Sequence, residues 1–345
     1  SEGNIWFCTE DGWLSRLEPK EHKVSNYQII EKMNMHDIVM DGEKMWICSY
    51  GDGLFLFDLA SQKVVKHYDL PDNFTSTGIK TSSGSILIGT RTGLYKYIKD
   101  TDSFELMPDT AGEYIHALYQ DSRDILWIGT YGNGLYCTNK DGKILARHAL
   151  DNGLTSKYIT SFFEDSRHRM WITTEGGGVC LSPAGYHIED LNFIAITRED
   201  GLASDVTCAT VEDNDGTIWV STTNGITTIA GNDLKITGQF NGSNEVTGYQ
   251  YSYGAVCSGQ NGILYFGNTD GMISLVPSKV KNSESNLPLY ITAIEARSAS
   301  TVKALKNNGK SFMTSTDLKV RYKDAETIYI SFVTSEFTTQ NPIYG

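Results

Sequence analysis

The stretch ILWIGTYGNGLY, residues 125–136, decides the fold. It alternates apolar and small residues, breaks at a glycine-containing turn, and resumes with Gly134-Leu135-Tyr136. The same phrase recurs as NIWFCTEDGWL from Asn4, KMWICSYGDGLF from Lys44, ILIGTRTGLY from Ile86, RMWITTEGGGVC from Arg169, TIWVSTTNGIT from Thr217 and ILYFGNTDGMI from Ile263. The seven anchors are Trp6, Trp46, Leu87, Trp127, Trp171, Trp219 and Tyr265, spaced 40, 41, 40, 44, 48 and 46 residues apart. A period of this length marks a propeller or a solenoid.

The residue types choose between them. Apolar residues flank each anchor, as Ile5 and Phe7 or Leu126 and Ile128 do, which suits a strand covered on both faces. Two positions on, the side chain is always small: Cys8, Cys48, Gly89, Gly129, Thr173, Ser221 and Gly267. Neighbouring sheets are therefore expected to approach closely there. Six or seven positions past the anchor stands a glycine in every copy, from Gly12 to Gly271, where a hairpin needs a positive φ. Strands ending in acidic turns precede several anchors (YIHALYQDSRD, YITSFFEDSRH, VTCATVEDNDG), and a fourth strand follows, as in KVVKHYDL. Four strands per repeat make a blade, and a closed ring lets each blade cover its neighbours. The expected fold is all-β: a seven-bladed β-propeller of four-stranded blades over residues 1–286, its first blade lacking the inner strand. From about Leu287 the repeat stops. Ile328, Ile330 and Phe332 then fall on one face of a strand, so residues 287–345 read as the start of a β-sandwich that the chain leaves truncated.

Composition excludes several classes of function. A formal charge of −13 disfavours a nucleic-acid partner, which would demand clustered Lys and Arg. No apolar run approaches the roughly 20 residues of a membrane helix, and no signal peptide opens the chain. The six cysteines fit repeat positions as small buried residues. Cys8 and Cys48 sit two past their anchors, Cys137 and Cys180 share a third-strand position, and Cys208 and Cys257 lie on inner strands. DNDGTIWVSTTN from Asp213 starts like a calcium loop, but Gly216 comes too early and Asn224 replaces the bidentate Glu, so it reads as a turn. Neither a metal site, a phosphate loop nor a cofactor motif is present, and no cofactor is expected.

The hairpins ILWIGTYGNGLY and RMWITTEGGGVC, preceded by DNGLTSKYITSFFED, resemble the two-component-regulator propeller repeats of Bacteroides-type hybrid sensor histidine kinases. GILYFGNTDGMISLVPSKV resembles that family's last blade, and the segment from Leu289 the opening of its tyrosine-rich β-sandwich. The resemblance implies a periplasmic sensor region of an inner-membrane-anchored receptor that binds an oligosaccharide released from a complex glycan. It further implies a second propeller and the rest of the sandwich as partners in the full-length protein, a homodimer, and a cytoplasmic histidine kinase absent from this chain.

In a propeller whose inner strand comes first, the turns between second and third strands share one face with the blade-to-blade connections. The turns offer Glu10, Asp11, Tyr50, Asp52, Arg91, Tyr131, Asn133, Glu175, Asn224, Asn268 and Asp270, and the connections offer His36, Lys157, Tyr158, Asp205 and Tyr249. Of these, Glu10, Tyr50, Asp52, Arg91, Tyr131, Asn133, Lys157, Tyr158, Glu175, Tyr249 and Asp270 form the candidate ligand-binding set. Aromatic rings can cover a pyranose face while amides, carboxylates and Arg bond its hydroxyls. Asn, Asp and Gly also populate turns for backbone reasons alone. Two alternatives stand beside a sensor. One is a propeller enzyme, through rim carboxylates such as Glu10, Asp52, Glu175 and Asp270 or through the similarity of NIWFCTEDGWLSRL to streptogramin lyase repeats. The other is a protein-interaction scaffold. No catalytic residue is assigned.

Overall fold

The computed structural model describes residues 3–31, 34–139, 142–240 and 250–280, with the strands Leu289–Ser298, Thr301–Ala304 and Thr327–Thr334. The chain divides into two compact units, Ser1–Lys281 and Asn282–Gly345. The first is a seven-bladed propeller of antiparallel sheets, one blade per sequence repeat, and the described residues contain no α-helix. Blades two to six have four strands each. Blade one (Ile5–Cys8, Trp13–Glu18, Lys23–Gln28) and blade seven (Tyr251–Ser258, Leu264–Asn268, Gly271–Leu275) have three. The ring closes where these two meet: a Cβ at Gly3 would lie 2.8 Å from the Oε1 of Gln260, in the first turn of blade seven.

The repeat pattern has a simple spatial meaning. Each anchor faces the following blade and the residue after it faces the preceding one, because side chains alternate along a strand. Trp127 packs with Ile172 and Phe162 of blade five, while Ile128 packs with Leu87 and Leu94 of blade three. Trp46, Trp171 and Trp219 occupy equivalent layers, all buried. Close approach at the small position is real: a Cβ on Gly129 would come within 2.7 Å of Ile159 Cγ2 on the next blade. At the hairpin, Gly134 has φ +80°, and a Cβ there would meet the His148 carbonyl oxygen at 2.2 Å.

Three details differ from the sequence reading. The strand Ile5–Cys8 is only partly buried, and Trp6 with it, since no described strand lies inward of it to complete the blade. All six cysteines are free thiols, but Cys8 and Cys257 are partly exposed, not buried. Cys137 and Cys180 do not share a register. Cys137 stands opposite Trp127 and Cys180 opposite Ile172, because one third strand begins Gly-Leu-Tyr-Cys and the other Gly-Val-Cys. The offset turns the two thiols toward each other's blades, into one shared core layer.

The acidic turns also do more than reverse the chain. Asp121 Oδ1 accepts the backbone N–H groups of Arg123 and Ile125, at 3.0 and 2.9 Å, while its Oδ2 accepts Trp127 Nε1–H at 3.1 Å. Asp165 with Trp171 and Asp213 with Trp219 repeat the arrangement at 2.8 Å each. Both carboxylate oxygens of Asp213 are thereby committed, and the calcium-like segment is a turn. On the same face, Ser122 and Ser166 each bond a glutamate of the next blade, Glu164 and Glu212, through both N–H and hydroxyl at 2.6 to 2.8 Å.

In the second unit, Leu289–Ser298 is the central strand, paired antiparallel with Thr301–Ala304 on one side and Thr327–Thr334 on the other. Among the described residues, no helix is long and apolar enough to cross a membrane.

Candidate functional site: the aromatic mouth

The hairpins between second and third strands do share a face with the blade connections, and main-chain bonds fix them together. The N–H groups of Gly132 and Gly134 both donate to the Lys157 carbonyl, at 3.1 and 3.0 Å. Gly51 and Gly53 treat Asn73 in the same way, and Gly176 and Gly178 treat Asp205. One residue further along, Tyr50 pairs with Phe74 and Tyr131 with Tyr158 as isolated antiparallel bridges. Each hairpin therefore lays its side chain against the residue that opens the next inner strand.

An arc of rings follows from this repetition. His36 stacks on Tyr50 with centroids 5.0 Å apart, and Tyr50 meets Phe74 edge-on at 4.5 Å. The Arg91 guanidinium lies 3.2 Å above the Phe74 ring, tethered by Asp72 at 3.5 Å. Tyr131 contacts Tyr114 at 5.5 Å and Tyr158 at 4.8 Å, and its hydroxyl donates to Glu175 Oε2 at 2.7 Å. Tyr50, Tyr131, Tyr158 and Tyr253 are 37 to 44% exposed, unusually open for ring systems that touch one another. The surface thus offers ring faces with polar groups beside them.

The electrostatics keep the phenols neutral. The bond to Glu175 and then burial push the Tyr131 pKa up to about 12. Burial and the neighbouring Tyr50 phenol raise that of Tyr114, with Arg91 opposing. Burial lowers the pKa of His36 and the Glu10 carboxylate opposes it. The phenols of Tyr114 and Tyr131 therefore stay protonated at physiological pH.

Of the residues expected from sequence, Tyr50, Arg91, Tyr131, Tyr158 and Glu175 come together here, with Glu10 acting on His36 at the arc's edge. Four others stand apart from the ring contacts. Asn133 Nδ2 donates to Glu113 at 2.7 Å, and Lys157 serves the frame through its carbonyl. The backbone N–H of Asp270 donates to Asn268 within its own turn, and the Asp52 carbonyl receives His67. Tyr249 lies outside the described residues.

The sequence reading missed Phe74, Tyr114, His116 and Tyr253. Phe74, Tyr114 and Tyr158 each stand one residue before an inner strand, and His36 and His116 each one residue into it, exactly two repeats apart at a spacing of 80. That register was the available signal. A β-bulge falls at the same place, since pairing jumps between Met35 and Asp37, Thr75 and Thr77, Ile115 and Ala117, Ile159 and Ser161, and Thr207 and Ala209. In blade seven the irregularity is longer: the six residues from Tyr251 to Val256 stand against three partner residues, Asn268 to Phe266. Tyr253 stands on this arm and reaches His116 of blade four, 5.6 Å between centroids, on the far side of the ring.

Comparison with curated protein sequences finds no match. Among solved structures, the chain is similar to one described as the extracellular domain of the hybrid two component system BT3049 from B. thetaiotaomicron. The TM-score is 0.70 at 22% identity, covering 90% of this chain and 43% of that one. The chain thus spans less than half of that structure's length. It also shares the fold of a streptogramin B lyase, with TM-score 0.63, 15% identity and coverage of 79% and 90%. PorZ, a surface component of the type-IX secretion system of Porphyromonas gingivalis, is similar with TM-score 0.63, 15% identity and coverage of 85% and 48%. In sequence, the two component regulator propeller family matches residues 111–132, 153–176 and 200–224, each running from a blade connection through the first two strands of a blade into the following turn. Those three segments are similar to the two component regulator propeller repeat.

Proposed function

We propose that this chain is the ligand-sensing module of a hybrid two component system, outside the cytoplasm, and that its ligand is an oligosaccharide held at the aromatic mouth. The observation that carries this reading is the arc Tyr50, Phe74, Tyr114, Tyr131 and Tyr158, flanked by Arg91 and Glu175. Exposed rings cover the C–H face of a pyranose, and fixed phenol, carboxylate and guanidinium groups bond its hydroxyls. The repeat family supports a sensor role. In this reading the chain binds and transmits, and turnover belongs elsewhere. A second propeller, the complete sandwich, a homodimer and a periplasmic setting complete the receptor, with a kinase on the cytoplasmic side.

Calorimetric titration against digests of plant and host polysaccharides tests it. Saturable binding with the oligosaccharide recovered intact supports a sensor. A cleaved product makes the chain an enzyme. Failure of every digest, alongside stable capture of a defined protein partner, makes it a scaffold. Tyr131→Ala removes a ring and its bond to Glu175, and is expected to weaken a binding digest about tenfold or more.

A further inference from the structure

The mouth contains one arrangement twice. In its first corner Tyr50 meets Phe74 edge-on at 4.5 Å, and in its second Tyr131 meets Tyr158 in the same way at 4.8 Å. Both pairs are isolated bridges between a hairpin and the residue that opens the next inner strand. The hairpin that follows adds a charged residue four positions past its own anchor: Arg91 after Leu87 in the first corner, Glu175 after Trp171 in the second. The position repeats and the sign of the charge reverses.

That reversal gives the corners different contents. In the first, the Arg91 guanidinium lies 3.2 Å above the Phe74 ring with the buried Asp72 carboxylate 3.5 Å away, so the chain itself supplies cation, ring and carboxylate. In the second, the rings and the carboxylate are in place, with Glu175 Oε2 accepting the Tyr131 hydroxyl at 2.7 Å and the Glu175 N–H donating to the Tyr158 carbonyl at 2.9 Å. The cation is what differs. Among the described residues, no Lys or Arg covers the Tyr131 or Tyr158 ring, and Glu175 makes no ion pair. The His116 imidazole, 5.5 Å from Tyr131, does not supply one, since burial lowers its pKa to about 4. The corner is also open: Tyr131 is 38% and Tyr158 44% exposed, and Glu175 is partly exposed. A carboxylate beside exposed rings draws a cation by charge and by the negative ring faces together, and repels an acidic group.

We propose that the corner formed by Tyr131, Tyr158 and Glu175 is a subsite for an ammonium group, so that the mouth takes a sugar with a free, protonated amine in preference to its N-acetylated or uronic acid counterpart. This rests on the reading of the mouth as an oligosaccharide site and adds the charge of the ligand. The ammonium takes the part that the Arg91 guanidinium plays in the first corner, against a ring and within reach of a carboxylate.

Tetramethylammonium, a cation without a hydroxyl, reads the subsite apart from any sugar. Titrated into the full chain at constant ionic strength, it is expected to shift the ring signals of Tyr131 and Tyr158 saturably. Glu175→Gln keeps an acceptor for the Tyr131 hydroxyl and removes the charge, so it should weaken that binding roughly tenfold, with thermal melting showing that the variant stays folded. A chitosan oligosaccharide and its fully N-acetylated counterpart of equal length form the second comparison. The free amine form is expected to bind roughly tenfold tighter, and Glu175→Gln to abolish the difference. No response to tetramethylammonium, an equal response in Glu175→Gln, or equal affinity for the two sugars overturns the proposal, and the two measurements on the unsubstituted chain decide it even if the variant does not fold. If tetramethylammonium binds but no oligosaccharide does, the cation subsite stands and the oligosaccharide reading falls. If neutral or acidic digests bind and tetramethylammonium does not, the subsite falls and the oligosaccharide reading stands.

Discussion

Replacing Trp127 tests how the wheel is held together. The side chain is fully buried between blades four and five, against Phe162 at 6.0 Å and Tyr186 at 5.6 Å. Burying a tryptophan removes roughly 150 to 250 Å² from water, which at about 25 cal/mol per Å² is about 4 to 6 kcal/mol. Large-to-alanine changes in cores cost about 3 to 5 kcal/mol. The indole N–H bond to Asp121 adds less, about 1 kcal/mol, since that carboxylate keeps Tyr186 Oη at 3.0 Å and Arg123 at 3.3 Å. Packing should therefore outweigh hydrogen bonding. Trp127→Ala is expected to cost about 4 to 5 kcal/mol and Trp127→Phe, which keeps a ring but not the donor, about 1 to 2 kcal/mol. At roughly 2 to 4 °C per kcal/mol for a domain of this size, the alanine variant should melt about 10 °C lower and the phenylalanine variant a few degrees lower. Melting curves and urea titrations read both, and affinity for a binding digest should stay unchanged in whichever variant remains folded. Equal losses for the two variants, or lost binding with an unchanged melting temperature, would refute the reasoning.

Two further outcomes follow from the frame and its periphery. Gly134→Ala combines a left-handed backbone with a collision at the His148 carbonyl, so it should cost about 2 kcal/mol or more, whereas Gly176→Ala, at φ +85° with open space around it, should cost about 1 kcal/mol; equal losses in urea titration would remove the collision from the account. At the outer edge of blades two and three, Asp102 accepts bonds from Lys66, Tyr68 and Tyr97, and these, Lys66 foremost, lower its pKa to about 2. The depressed value means its contribution is present above the ordinary carboxylate pKa near 4 and lost as pH falls toward 2, so Asp102→Asn should flatten the melting temperature between those limits. An unchanged slope would show that the cluster does not couple folding to pH.

Much of the wheel was legible because its frame repeats. The anchors, the small residue two places on and the hairpin glycine recur whenever two sheets pack at one spacing, and a packing constraint imposed seven times is readable without coordinates. The mouth was only half legible. Tyr50, Tyr131 and Glu175 sit at a repeated hairpin position and were found by it, but a bulge adds one residue to a strand and leaves period-two patterning ambiguous, which hid His116. Tyr253 escaped because an arm crossing the axis pairs blades four and seven, which no local pattern relates. Bonds such as Ser122 to Glu164 also join residues 42 positions apart on neighbouring blades. The mistaken equivalence of Cys137 and Cys180 came from a single residue of difference in strand onset.

The three pairs of glycine N–H groups that grip a single carbonyl, at Asn73, Lys157 and Asp205, use only main-chain atoms. The side chains between the two glycines are therefore not needed for this grip. A lineage could rewrite such tips with little loss of folding stability, and chemical preference could drift while architecture stood still. Transplanting the tip of one blade onto its counterpart in another propeller of this kind should then carry recognition with it, leaving the host barely perturbed.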